Sequence, residues 1–116
     1  MIKLYGIPNC DTVKKARSWL SSHDIAVEFH DFKKLGLSAE LAQHWLKQTS
    51  WEQLINRKGL TWRGLSDEQK TIADNQVAQQ LMLEKTSVIK RPLLERDGKL
   101  LHVGFDEAAY NNLFKL

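Results

Sequence analysis

The apolar period changes abruptly at Pro8. Ile2, Leu4, Tyr5 and Ile7 in "MIKLYGI" alternate in part, as a strand does. From Asp11 the apolar positions are Val13, Ala16, Trp19 and Leu20, which is helical spacing. Pro8 has no N–H to give a strand ladder, so the strand must end there. Asp11 and Thr12 suit the first turn or cap of the following helix, which should end near Ser21 to Asp24. The chain's one cysteine, Cys10, stands at this junction.

A second strand is expected over 25–32, with Ile25, Val27, Phe29 and Phe32 alternating. Ser38, two residues before Glu40, is a helix cap for "LSAELAQHWLKQ". "SWEQLIN" and "SDEQKTIADN" read as short helices joined by the glycine-containing stretch "RKGLTWRGL", and "QVAQQLMLEKT" as another helix. After Pro92 the apolar runs "LLER" and "KLLHV" flank Asp97-Gly98, a strong hairpin signal. "DEAAYNNLFKL" closes as a helix. A βαβ unit, a helical block, a β-hairpin and a helix predict an α/β fold of thioredoxin type. The helical insertion runs from about residue 37 to 85, all within one domain over 1–116.

With 116 residues, the chain can bury an ordinary core without staples. No stretch approaches the ~18 apolar residues of a membrane span, and "MIKLYGI" lacks the features of a signal peptide, so the cytoplasm is the expected compartment. The net charge of +3 is modest, and acids separate most basic clusters. Nucleic acid would need a denser basic face, so none is expected as a partner; a small anion fits better. A lone cysteine makes neither an intrachain disulfide nor a cysteine-rich zinc site. His23, His30, His44 and His102 show no ligand spacing, so no metal is expected.

Cys10 precedes a helix, where free N–H groups and the positive end of the helix dipole stabilise a thiolate. Its pKa is expected below the free-thiol value of ~8.5. The Thr12 hydroxyl and the charges of Lys14 and Lys15 add to that expectation, and Asn9, Asp11 and Thr12 make the surroundings a polar loop rim. The third residue after Cys10 is Val13, so a CxxC dithiol is excluded. A monothiol forms a mixed disulfide that a second thiol from outside the chain must resolve.

"YGIPNCDTVKKARSWL", "LINRKG", "VIKRPLL" and "VGFDE" together resemble the ArsC/Spx family of glutaredoxin-coupled arsenate reductases and their relatives, nearest its YffB-like members. The resemblance implies a thioredoxin fold with a helical insertion and a catalytic Cys10. It implies Arg57 and Arg91 around an anionic or thiol substrate, with Pro92 in the cis form and Asn9 and Thr12 beside the bound partner. It further implies glutathione as co-substrate, with no bound cofactor, and glutaredoxin as a further partner. Two departures weigh against arsenate. The His-Asn-Pro-x-Cys loop reads Gly6-Ile7-Pro8-Asn9-Cys10, without the imidazole, and a third arginine is replaced near Val103. The function expected is a glutathione-dependent thiol reductase. The alternatives are a weak arsenate reductase and a non-catalytic redox-responsive adaptor on RNA polymerase, for which Trp51 and Trp62 are candidate contacts.

Overall fold

The computed structural model describes residues 1–115. It divides into two compact units, Met1–Leu35 together with the described chain from Arg91 onward, and Gly36–Lys90.

The first unit begins with β1 (Ile2–Gly6), α1 (Asp11–Ser22), β2 (Glu28–Asp31) and a single helical turn, α2 (Phe32–Leu35). The second holds α3 (Ala39–Gln48), α4 (Trp51–Leu54), α5 (Leu60–Arg63), α6 (Asp67–Lys70), α7 (Asn75–Glu84) and a 3-10 turn, Thr86–Val88. The chain then returns to the first unit as β3 (Leu93–Arg96), β4 (Lys99–Val103) and α8 (Glu107–Phe114).

The strands form one four-stranded sheet in the order β2-β1-β3-β4. β1 pairs with β2 in parallel and with β3 antiparallel, and β3 pairs antiparallel with β4. This mixed sheet, with its βαβ unit followed by a hairpin and a helix, has the thioredoxin-like arrangement. Asp97 and Gly98 take positive φ values of 50° and 84°, as a tight hairpin turn between twisted strands requires.

One sheet face carries Leu4 and Leu94, which pack with Ala16, Trp19 and Leu20 of α1 and Tyr110 of α8. The helical spacing of α1 exists to bury that stripe. The helix closes where Asp24 turns left-handed at φ 55° and the Ile25 N–H reaches back to the Leu20 carbonyl at 3.0 Å. On the opposite face Tyr5 donates its hydroxyl hydrogen to Glu95 Oε1 at 3.2 Å, and its ring lies 5.1 Å from that of His30.

Two local readings are corrected. The second strand is only Glu28–Asp31. Ile25 and Val27 pack on the core from the preceding loop. Phe32 is not a strand residue but the buried first residue of α2. The Asp31 carboxylate accepts the N–H groups of Lys33 at 3.0 Å and Lys34 at 3.1 Å, and so starts a helical turn. In the stretch read as a connection, Leu60–Arg63 forms a turn of helix flanked by Gly59 and Gly64.

The second unit is built on α3 and α7. Ser38 caps α3 by accepting the Leu41 N–H at 3.1 Å, and Asp74 caps α7 by accepting that of Val77 at 3.0 Å. Ala42, Trp45 and Leu46 of α3, with Ala78, Leu81 and Met82 of α7, supply buried apolar side chains. No described helix is long and apolar enough to cross a membrane.

Candidate active site

β1 runs into the site through Gly6 and the buried Ile7, after which Pro8 and Asn9 reach the surface. Cys10 is the N-cap of α1, with extended backbone angles of φ −140° and ψ 124°. Its carbonyl accepts the Lys14 N–H at 2.9 Å and so begins the helix ladder. The thiol is half-buried. The amides of the first turn have no partner within the helix and face the thiol.

Partial burial pushes the Cys10 thiol up. The N–H of Val13, the hydrogen bond and charge of the Arg91 guanidinium, and the N–H of Thr12 outweigh it, and the net shift is downward from the ordinary thiol range. Each opposing group favours the charged form, a thiolate, in the way expected of a cysteine at a helix N-terminus beside an arginine.

The sheet explains how Arg91 arrives there. Tyr5, near the end of β1, lies opposite Leu93, the first residue of β3. Leu93 in turn faces Val103 on β4. The Pro92 carbonyl accepts the Gly104 N–H at 2.8 Å, which ties the entry to β3 against the exit from β4. The Arg91–Pro92 peptide bond is cis. Arg91 therefore precedes a strand whose start is fixed beside the end of β1, four residues before Cys10 in the sequence.

Asn9 and Thr12 are exposed at the rim, and Pro92 is buried. Thr12 acts on the thiol through its backbone N–H rather than through the hydroxyl expected from sequence. Sequence reasoning did not single out Val13 as a donor; its place three residues into the helix from the cap was the available signal, because an N-cap atom faces that amide. Lys14 and Lys15 are exposed.

Arg57 belongs to the second unit. It is exposed just beyond α4, and its guanidinium lies 5.4 Å from the centre of the Trp51 ring. Trp51 and Trp62 are both partly buried.

Gly6 has a packing reason. A Cβ at this position would stand 2.9 Å from Cγ2 of the buried Val13 and 3.7 Å from the Phe29 ring. The first turn of α1 comes that close because the loop between strand and helix is short.

The model of the ArsC family matches residues 5–113. An arsenate reductase (ArsC) related protein from Brucella melitensis is 52% identical, with a TM-score of 0.80 over 99% of this chain and 95% of that one. The solved YFFB (PA3664) protein is 44% identical, with a TM-score of 0.90 over 97% of each chain. The global transcriptional regulator Spx of Streptococcus agalactiae serotype V is 29% identical over 109 residues, 92% of this chain and 78% of the regulator.

Proposed function

From the chain's membership of the ArsC family, we propose that it is a glutathione-dependent thiol reductase with Cys10 as its nucleophile. A thiol reductase kind of function is supported by the family and by the arsenate-reductase-related neighbour. What supports Cys10 as the nucleophile is its place as the N-cap of α1, where the Val13 amide and the Arg91 guanidinium favour its charged form.

The thiolate attacks the glutathione sulfur of a mixed disulfide. A Cys10–glutathione disulfide forms, and the substrate leaves as its thiolate, which takes a proton from water. A glutathione thiolate then attacks the glutathionyl sulfur on Cys10. Oxidised glutathione departs and the Cys10 thiolate is regenerated. The net reaction consumes the mixed disulfide, one glutathione thiolate and a proton, and yields the free substrate thiol and oxidised glutathione. With one cysteine in the chain, the resolving thiol comes from outside. Arg91 holds the leaving thiolate or a carboxylate of glutathione, Asn9 and Thr12 form the exposed rim, and the buried Pro92 fixes the strand entry that carries Arg91. In the second unit Arg57 is proposed as a contact for a further anionic group. Glutaredoxin is the protein that would use the same mixed disulfide.

Intact-mass and peptide analysis after treatment with oxidised glutathione tests this reading. A discrete glutathionyl adduct on Cys10, released by reduced glutathione, is expected. An unreacted Cys10 overturns it. Arsenate reduction is expected to be feeble beside mixed-disulfide reduction, because Gly6 and Val103 supply neither imidazole nor guanidinium. The likeness to Spx along most of the chain favours a second reading, a redox-responsive transcriptional regulator. Capture of RNA polymerase by a Cys10→Ser variant, which has no thiol chemistry, would support that one instead.

A further inference from the structure

A second cluster of charge lies in the helical unit. A cleft of about 240 Å³ is lined by Glu52, Ile55, Asn56, Arg57, Lys58 and Lys90. Its floor is fixed by contacts between segments far apart in sequence. The Asn56 N–H donates to the Val88 carbonyl at 2.8 Å, and the Lys90 N–H to the Leu54 carbonyl at 2.7 Å. Ile55 and Ile89 form a bridge between these hydrogen bonds and are both buried. The turn that carries the cations is also pinned. Asn56 Oδ1 accepts the Lys58 N–H at 3.1 Å, and the Asn56 carbonyl accepts the Gly59 N–H at 3.3 Å. The Arg57 guanidinium rests over the Trp51 ring.

Three cations and one carboxylate therefore share a backbone frame that is set before any ligand arrives, which lowers the ordering cost of binding. A simple oxyanion would use the cations and be repelled by Glu52. A ligand with two carboxylates and an ammonium group would use all four charges. Glutathione has that set of charges at neutral pH.

We propose that this cleft recognises the charged ends of glutathione, with Arg57, Lys58 and Lys90 facing its carboxylates and Glu52 facing its ammonium. The proposal rests on the glutathione reading above and adds Glu52, Lys58 and Lys90 as binding residues of the second unit. Glu52 is the discriminating one. It offers an ammonium group a partner that sulfate or phosphate cannot use, and so favours an amino-acid headgroup.

The test uses the full chain as Cys10→Ser, titrated with S-methylglutathione and followed by backbone-amide NMR. The amides of Asn56, Arg57, Lys58 and Lys90 should shift together. Lys58→Ala and Lys90→Ala should each weaken binding by roughly 2- to 5-fold, the range of solvent-exposed charge pairs. N-acetyl-S-methylglutathione, which lacks the ammonium, should bind the Cys10→Ser protein more weakly by a similar factor. It should bind a Glu52→Gln version no more weakly than S-methylglutathione does. Unchanged spectra outside the cleft show that each variant is folded. Cleft amides that do not move overturn the proposal. So does indifference to N-acetylation, or displacement of the ligand by equimolar sulfate. A Cys10 adduct with oxidised glutathione in a protein whose cleft amides stay still removes the cleft and leaves the thiol chemistry. Cleft binding without an adduct removes the thiol chemistry and leaves the cleft.

Discussion

Gly6→Ala should destabilise the protein through one contact. The new methyl would sit 2.9 Å from Val13 Cγ2 and 3.3 Å from Cγ1. Val13 is fully buried in the first turn of α1 and is stiff at χ1, because its Cβ is branched. It cannot swing aside, so strand or helix must shift. Overpacking of this kind costs ~1–3 kcal/mol, and the reduced freedom of the unfolded chain returns ~0.4–1 kcal/mol. A net loss of about 1–2 kcal/mol is expected. For a chain of 116 residues, an unfolding entropy of ~2.1 cal/mol/K per residue makes each kcal/mol worth about 4 °C. The melting temperature should fall by about 4–8 °C. Thermal unfolding followed by circular dichroism, on Gly6→Ala, Val13→Ala and the double variant, isolates the cause. Truncating Val13 opens a cavity of its own but removes the clash, so the double variant should be more stable than additivity allows. A Gly6→Ala protein within 0.5 kcal/mol of the parent, or strict additivity, refutes the reasoning. The functional corollary is that Gly6→His alone cannot restore an arsenate reductase loop. An imidazole at position 6 must first displace Val13, the residue whose N–H helps to hold the thiolate.

The midpoint of Cys10 alkylation against pH should lie below ~8.5, the free-thiol value, and Arg91→Ala should raise it. Because the folded pKa is lowered, the thiolate's contribution to stability is present above the unfolded pKa and is lost as pH falls through the folded one. Arg91→Ala should cut glutathione-linked turnover by roughly 10- to 150-fold, the equivalent of one charged hydrogen bond at ~1.5–3 kcal/mol. Arg91→Lys should recover only part, since lysine lacks the planar fork; unchanged turnover in a Cys10-dependent assay would make Arg91 idle. Tyr110→Phe should stabilise the protein by about 1–3 kcal/mol, because the Tyr110 hydroxyl is buried without a hydrogen-bond partner among the described residues. Burial also raises the Tyr110 pKa. Its neutral form therefore contributes stability that is intact below ~10, the unfolded value, and is lost as pH rises beyond it. Urea unfolding from pH 8 to 11 should show a shallower alkaline decline in the Phe variant, and an equal or steeper one contradicts the assignment.

The parts of the fold that sequence made legible are those with local causes. Val13, Ala16, Trp19 and Leu20 show their helix by spacing alone, and all four are buried. Asp97-Gly98 shows its hairpin because that turn needs two residues tolerant of positive φ. Phe32 reads as a strand residue because it continues the apolar alternation, yet it opens α2. What ends the strand is the Asp31 side chain capping two later amides, a competition that periodicity does not register. The neighbourhood of Cys10 divides in the same way. The helix amides are local and were foreseen as a class. Arg91 is 81 residues away in sequence, and it reaches the thiol only through the pairing of Tyr5 with Leu93. Resemblance to a family suggested that juxtaposition; spacing could not have done so.

The balance of charge at Cys10 bears on what the site can hold. The charged side chain that lowers the thiol's pKa is Arg91, and the other favourable groups are neutral amides. One guanidinium with two amides matches one negative charge: a thiolate in the resting site, or a carboxylate or leaving thiolate beside it. A multiply charged tetrahedral oxyanion places several acceptor oxygens around one centre and needs donors on more than one side. The two positions at which the family resemblance expects them, 6 and 103, are filled otherwise. Gly6 is held small by Val13, and Val103 lies opposite Leu93 in the hairpin that sets the entry to β3. An arginine at 103 would bring a second guanidinium to the strand facing Leu93, two residues on from Arg91, where like charges oppose one another unless an anion lies between them. The charge of Arg91 favours the Cys10 thiolate. This arrangement suits exchange between sulfur atoms better than capture of a highly charged oxyanion.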